Sequence, residues 1–213
     1  MGPDIEMDQL SLQLNGVTIL PPITARLKAG QLHVITGPNG AGKSSLMKAL
    51  LGLLPHSGDI RRHWPGKPGK VAYVPQQTAF EPSLPVTVQE FLLSSLNRRA
   101  FFGRRRKQDL QRVAELLQQV GMEGKEHLRL GQLSGGERQR LLFAQALEQQ
   151  ALFWCLDEPM TGLDQQAQEI ITAAIQQLRQ QGATLLVIQH DPAWTEQHAD
   201  CIWKVEDGLR RSA

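Results

Sequence analysis

The stretch Val34-Ile35-Thr36-Gly37-Pro38-Asn39-Gly40-Ala41-Gly42-Lys43-Ser44-Ser45 restricts the chain to folds that carry a strand, a tight loop and a helix in immediate succession. The helix is marked by Leu46, Ala49, Leu50 and Leu53 at i, i+3, i+4 and i+7, and Pro55 is expected to stop it. Its N-terminus offers N–H groups without intrahelical partners and the positive end of the macrodipole. Gly37, Gly40 and Gly42 let the backbone turn and come close to a ligand where a Cβ would stand in the way. Such a loop suits dense negative charge, so the spacing predicts a phosphate site. Lys43 can reach the phosphates, and the Ser44 hydroxyl can coordinate Mg²⁺.

A chain of 213 residues fits one domain with room for an inserted subdomain. It can bury about 70% of the surface its unfolded form exposes. Hydrophobic residues make up 41% and charged residues 21%, the balance of a soluble globular protein. A net charge of +2 is too near neutral to suggest nucleic acid as a principal ligand. The two cysteines, Cys155 and Cys201, lie in apolar runs and read as buried free thiols, which favours a reducing compartment. No apolar run approaches the ~18 residues of a membrane span. With Asp4, Glu6 and Asp8 the N-terminus is unlike a signal peptide. The expectation is a cytoplasmic protein whose membrane association comes through a partner.

Along the chain, Leu10, Leu12 and Leu14 alternate, Asn15-Gly16 signals a two-residue turn, and Val17 and Ile19 resume the alternation, which predicts an antiparallel hairpin. Lys28-Ala29-Gly30 turns into a buried strand over Leu32 to Thr36. Pro55 to Lys70 reads as a surface loop, and Val71 to Val74 as a short strand ended by Pro75. Between about Gln77 and Gly131 the pattern is helical. Thr87 with Glu90 predicts a capping box for a helix to about Asn97. A second helix carries Leu110, Val113, Ala114 and Leu117 on one face and ends at Gly121. Between them lie Arg98-Arg99 and Arg104-Arg105-Arg106-Lys107, a solvated face or a docking face for a partner or lipid headgroups. Beyond the insert come a helix opening at Ser134, a strand over Leu152 to Leu156 and a helix behind Asp164 with Ala167, Ile170, Ile171, Ala174, Ile175 and Leu178 buried. Strands over Ala183 to Ile188 and Cys201 to Val205 complete the chain. Strands alternating with helices predict a largely parallel sheet covered on both faces.

The apolar run Leu152 to Leu156 ends in Asp157 and Glu158, at the strand end where open α/β sheets place ligands. Neighbours on an extended strand face opposite ways, so the two carboxylates suit different work: Asp157 in a Mg²⁺ shell, Glu158 polarising an attacking water. Leu133-Ser134-Gly135-Gly136-Glu137-Arg138-Gln139-Arg140 combines a serine cap, two glycines and a helix start, and predicts a second anion site. One nucleotide does not readily need two such sites from one chain, so the second is expected to serve a neighbouring subunit. His33, His56, His63, His127 and His198 show no ligand spacing and read as structural or surface residues.

Over nearly its whole length the chain resembles the ATP-binding subunits of ABC (ATP-binding cassette) transporters. The resemblance makes Gly37, Pro38, Asn39, Gly40, Ala41, Gly42, Lys43, Ser44 and Ser45 the Walker A nucleotide site and Gln76 the Q-loop glutamine. It makes Ser134, Gly135 and Gly136 with Glu137 the signature motif, and Leu152 to Asp157 the Walker B strand. Glu158 becomes the catalytic carboxylate, Asp164 the D-loop aspartate and His190 the switch histidine. The implied fold is a P-loop NTPase core with a mainly parallel α/β sheet, an N-terminal antiparallel β subdomain and a helical subdomain inserted at about 77–140, together one domain over 1–213. The implied catalytic set is Glu158, His190 and Gln76, with Mg²⁺ held by Ser44, Gln76 and Asp157. The implied partners are an integral membrane permease, a second cassette in an ATP-bound homodimer and, for an importer, a separate substrate-binding protein. The implied location is peripheral, on the cytoplasmic face of the membrane.

Two positions depart from the family pattern. Leu14 falls where an aromatic residue usually stacks on adenine, so weaker affinity and base selectivity are expected. Glu137 stands where glutamine is commonest. Val71 to Gln76 followed by Leu84 to Phe91 is similar to the zinc, manganese and iron uptake cassettes, which makes a metal ion the expected cargo. The chain ends at Ala213 without the long, sometimes histidine-rich tail of some zinc-uptake cassettes, so no feedback tail is expected. The competing readings are a cassette for a non-metal cargo, imported or exported, and a soluble ABC ATPase acting on nucleic acid or ribosomes.

Overall fold

The computed structural model describes residues 1–76, 84–96, 107–206 and 208–212. The chain divides into two compact units: residues 1–73, 151–158 and 178–213 form the first, residues 74–150 and 159–177 the second.

In the first unit, β1 (Asp4–Leu14) and β2 (Val17–Leu27) form the expected hairpin. Leu14 pairs with Val17 across the turn, where Asn15 and Gly16 both have positive φ, +50° and +78°, as a turn matching the strand twist requires. A third strand, β4 (Ser57–His63), pairs antiparallel with β1 and gives the order β2-β1-β4. This corrects the expected loop over Pro55 to Lys70. β4 is an edge strand on which only Ile60 is partly buried, so it has no alternation to betray it; its pairing comes from the backbone of β1. Arg62 on β4 donates to the Leu50 carbonyl at the end of α1 (Lys43–Leu50).

The second sheet runs β5-β6-β7-β3-β8-β9, with β3 at Leu32–Thr36, β5 at Val71–Val74, β6 at Phe153–Asp157, β7 at Thr184–Ile188, β8 at Cys201–Val205 and β9 at Leu209–Arg211. β3 pairs in parallel with β7 and β8, and β6 with β7. β9 returns antiparallel on β8, so Cys201 to Val205 is not the last strand. β6 and β7 are buried along their full length, as a sheet covered on both faces demands. One apolar core joins Leu10, Leu12 and Leu20 of the hairpin, Met47 and Leu50 of α1, and Phe153, Leu186 and Trp203 of the larger sheet.

Helix α1 stops earlier than expected. Leu53 is 60% exposed, and the end is set by Gly52 at φ +74°, with Gly52 N–H donating to Ala49 O and Leu53 N–H to Lys48 O. Cys155 and Cys201 are both buried and free; burial pushes both thiols up from their usual range. His33 is buried as well. A tryptophan indole can only donate, so Trp203 Nε1 gives its hydrogen to His33 Nδ1 at 3.2 Å, and His33 Nε2 donates to Lys28 O at 2.9 Å.

The second unit is built from α2 (Val88–Leu96), α3 (Lys107–Gln119), α4 (Gly135–Leu147) and α5 (Gln165–Gln180) as far as residue 177. The α2 box is reciprocal: Thr87 N–H donates to Glu90 Oε2 at 2.9 Å and Glu90 N–H to Thr87 Oγ1 at 3.2 Å. On α3 the buried face is Val113, Leu116 and Leu117; Ala114, expected inside, is exposed. Arg140 of α4 donates to the carbonyls of Val120 and Gly121 at 3.2 and 2.7 Å, which ties α4 to the end of α3. Asn97, Arg98-Arg99 and Arg104-Arg105-Arg106 lie outside the described residues, and Lys107 opens α3 exposed. Among the described residues no helix is long and apolar enough to cross a membrane.

Candidate functional site

The phosphate loop joins β3 to α1 within the first unit. Gly42 precedes the helix at φ +91°, and a Cβ on it would meet Ile19 Cγ2 at 3.0 Å. Gly37, at φ +139°, is more constrained: a Cβ there would lie 2.3 Å from Val205 O, so no side chain fits. Lys43 is almost fully buried, and its Nζ donates to Gly37 O at 2.9 Å and Pro38 O at 2.8 Å. Two of its N–H groups hold the loop closed and the third remains for an anion. Burial draws the amine below its usual range, opposed by Glu158 and Asp157.

Ser44, in the first turn of α1, donates from Oγ to Asp157 Oδ1 at 3.0 Å. Asp157 ends β6 and is 3% exposed. Burial raises its carboxyl above the usual carboxylate range; the Glu158 charge adds to this, and the Ser44 hydrogen bond and lysines 48 and 43 oppose it. A hydroxyl beside a buried carboxylate is a hard oxygen pair of the kind that binds Mg²⁺ together with phosphate oxygens, so the donor set fits the ion.

Glu158 departs from the extended geometry expected of it. Its φ is +50°, a left-handed turn directly after β6, with its N–H donating to Ile188 O at 3.1 Å. This turn, rather than strand alternation, separates its direction from that of Asp157. His190 follows β7, and its Nε2 lies 2.8 Å from Glu158 Oε1, donating to the carboxylate. The His190 N–H donates to Gln189 Oε1 at 2.8 Å, and Asp191 caps α6 (Pro192–His198) through Ala193 and Trp194 N–H. The first unit therefore brings Gly37 through Ser45, Asp157, Glu158 and His190 into one strand-end region.

Beside the loop is a cleft of about 690 Å³, lined by β2 from Thr18 to Pro21, by the loop from Pro38 to Ala41, and by Glu206 and Gly208. Among the described residues its lining holds no aromatic side chain. Leu14 ends β1 half-buried at the hairpin turn.

The remaining predicted site residues fall in the second unit. Ser134 caps α4 in a closed box: Glu137 N–H donates to Ser134 Oγ at 3.2 Å and Ser134 N–H to Glu137 Oε2 at 2.7 Å. Ser134 and Gly135 are exposed. A Cβ on Gly136 would meet Gly162 O at 3.0 Å, so glycine lets α4 sit against that turn. Asp164 accepts from Ala167 N–H at 2.8 Å and caps α5. Gln76 directly follows β5 and Pro75. Sequence reasoning missed two residues here. Gln139, buried in α4, donates to Pro75 O at 3.1 Å, and Lys125 pairs with Glu137. Neither belongs to a pattern of local spacing.

A glycine loop closed by its own lysine, a serine–aspartate pair and a strand-end glutamate backed by histidine define a nucleoside triphosphatase of the phosphate-loop class. The chain belongs to the ABC transporter family, whose model matches residues 20–161, and as an ATP-binding member of it hydrolyses ATP. It is 37% identical over 204 residues to the manganese transport system ATP-binding protein MntB of Halalkalibacterium halodurans, covering 94% of this chain and 82% of that protein. It is 36% identical over 192 residues to the zinc transport system ATP-binding protein TroB of Treponema pallidum, covering 88% and 72%. Among solved structures, an ATP-binding subunit of an ABC transporter superposes with a TM-score of 0.81 at 22% identity, over 98% of this chain and 89% of that one. An ABC-transporter cassette in its ADP conformation gives 0.78 at 19% identity, over 99% and 90%. These superpositions bear out the α/β phosphate-loop fold.

Proposed function

We propose that this chain powers uptake of a transition-metal ion, manganese or zinc before iron, through a separate membrane permease on whose cytoplasmic side it sits peripherally. The observation that carries the cargo is the relatives named for manganese and zinc transport, matched over 94% and 88% of this chain. A single cassette with an inserted helical segment, two copies closing head to tail on ATP, and a separate substrate-binding protein complete the reading.

The chemistry follows from the chain's own groups. Lys43 and the loop N–H groups bind the β- and γ-phosphates, and preorganised positive groups of this kind lower the barrier where charge develops. Ser44 and Asp157 would hold Mg²⁺, with Gln76 as the ligand the family resemblance adds, and the ion would supply positive charge against the phosphate oxygens. Glu158 accepts a hydrogen bond from the attacking water and orients it, and His190 fixes that carboxylate through the 2.8 Å contact. Gly135 and Gly136 present N–H groups, and Ser134 its hydroxyl, to the nucleotide of the neighbouring cassette, and Asp164 caps α5 as the D-loop aspartate.

The test is cellular manganese, zinc and iron in the native host carrying Glu158→Gln under metal limitation. A fall in one of them names the cargo. Unchanged levels of all three, with hydrolysis abolished and no redundant uptake route, move the assignment to a non-metal transporter.

A further inference from the structure

Glu137 in the first turn of α4 uses its carboxylate twice. Oε2 accepts from Ser134 N–H at 2.7 Å, and Oε1 accepts from Lys125 Nζ. Lys125 itself is fixed in the turn after α3: its N–H donates to Met122 O at 3.3 Å and its carbonyl accepts from Leu128 N–H at 3.1 Å. Both side chains are partly shielded, 34% exposed for Lys125 and 18% for Glu137.

The charge matters because of where it stands. A helix N-terminus that is to receive a phosphate gains nothing from a carboxylate in its first turn, which repels the incoming anion. The same carboxylate is needed to close the cap, because it satisfies the Ser134 N–H. Lys125 resolves that conflict by neutralising the charge and fixing the rotamer at once. We propose that Lys125 is a positioning residue for ATP hydrolysis: it holds Glu137 so that Ser134 to Gly136 stay in receiving geometry without a net negative charge beside them. This rests on the reading of that loop as the anion site for the neighbouring cassette's nucleotide. The pKa of Glu137 is held down to about 2, by the Lys125 hydrogen bond first and the Ser134 N–H next, so its carboxylate stays ionised throughout the neutral range.

The test uses the full chain. Lys125→Met is expected to lower kcat about tenfold, while affinity for a fluorescent ATP analogue stays within about twofold because the phosphate loop is untouched. In a Glu158→Gln background it should weaken ATP-dependent dimerisation, read by sedimentation, by a similar factor of about ten. Lys125→Arg keeps the ion pair and should restore both. The double variant Lys125→Met/Glu137→Gln keeps an acceptor for Ser134 N–H without the charge, and should return kcat to within about threefold of the wild type. A Lys125→Met protein with wild-type kcat, or a double variant no better than the single, overturns the proposal. Ser134→Arg separates the two layers. If it still dimerises on ATP and hydrolyses normally, the anion-site reading fails and takes this inference with it. If it is inactive while Lys125→Met is unimpaired, only the role of Lys125 is lost.

Discussion

Glu158 carries both a chemical role and a backbone cost, and the two can be measured apart. Glu158→Gln keeps the shape, can still accept from His190, and removes the charge that orients water. The expected fall in kcat is about 10²- to 10⁴-fold, the contribution of a positioned general base. The backbone is tested by comparing Glu158→Ala with Glu158→Gly, which both lack the carboxylate and differ by one Cβ. At an ordinary position glycine is the less stable by about 0.4–1 kcal/mol, through the entropy of the unfolded chain. At φ +50° a left-handed residue with a Cβ bears about 1–2 kcal/mol that glycine avoids. The difference therefore reverses, and the glycine variant should be the more stable by about 1 kcal/mol. For a chain of 213 residues that is about 2–4 °C in Tm. Phosphate-release kinetics and thermal melts on the four proteins suffice. A glycine variant melting below the alanine variant would refute the strained turn, and a Glu158→Gln protein hydrolysing ATP at the normal rate would refute its catalytic role.

The cleft, whose described lining has no aromatic ring, and Leu14 predict ATP and GTP affinities within about tenfold of each other, and a gain of about five- to a hundredfold for ATP in Leu14→Tyr, the worth of one stacked base. A strong ATP preference in the wild type, read by competition binding, would sink that account. His33 predicts an acid-side loss of stability. Burial depresses its pKa from an ordinary 6.5, with Arg211 acting the same way and the Lys28 carbonyl, Asp200 and Asp4 opposing. Below pH 6.5 the unfolded chain takes a proton that the native ring refuses. The unfolded state then binds more protons, and stability falls with pH at up to about 1.4 kcal/mol per unit until the depressed native value is passed. Urea denaturation at pH 7.5 and 5.5 should show a smaller drop in His33→Leu than in the wild type; equal drops would remove His33 as the cause.

Much of this was legible because the signals are local. The Asn15-Gly16 turn, the Thr87–Glu90 box, the glycine loop and the carboxylates at the end of β6 are each written within a few residues, and backbone geometry obeys such short-range chemistry. What could not be read depends on distant partners. β4 carries one partly buried apolar residue, Ile60, among polar ones, and it is a strand because β1 offers it an edge. Leu116 rather than Ala114 is buried because the neighbouring helices choose the face of α3. The end of α1 was readable and misread: Gly52 supplies the left-handed residue, three positions before the proline expected to do the work. Within the candidate site the residue types were apparent, but the left-handed turn at Glu158 and the hold of Lys125 on Glu137 come from tertiary placement.

The bond from Gln139 to Pro75 O has a mechanical meaning. Gln139 is buried, so breaking the bond would strand its amide without water, at a cost of about 1–3 kcal/mol. The backbone that leads into Gln76 therefore does not shift independently of α4. Gln139 and the Ser134 cap belong to one helix, so the glutamine segment and the serine cap share a single anchor in α4.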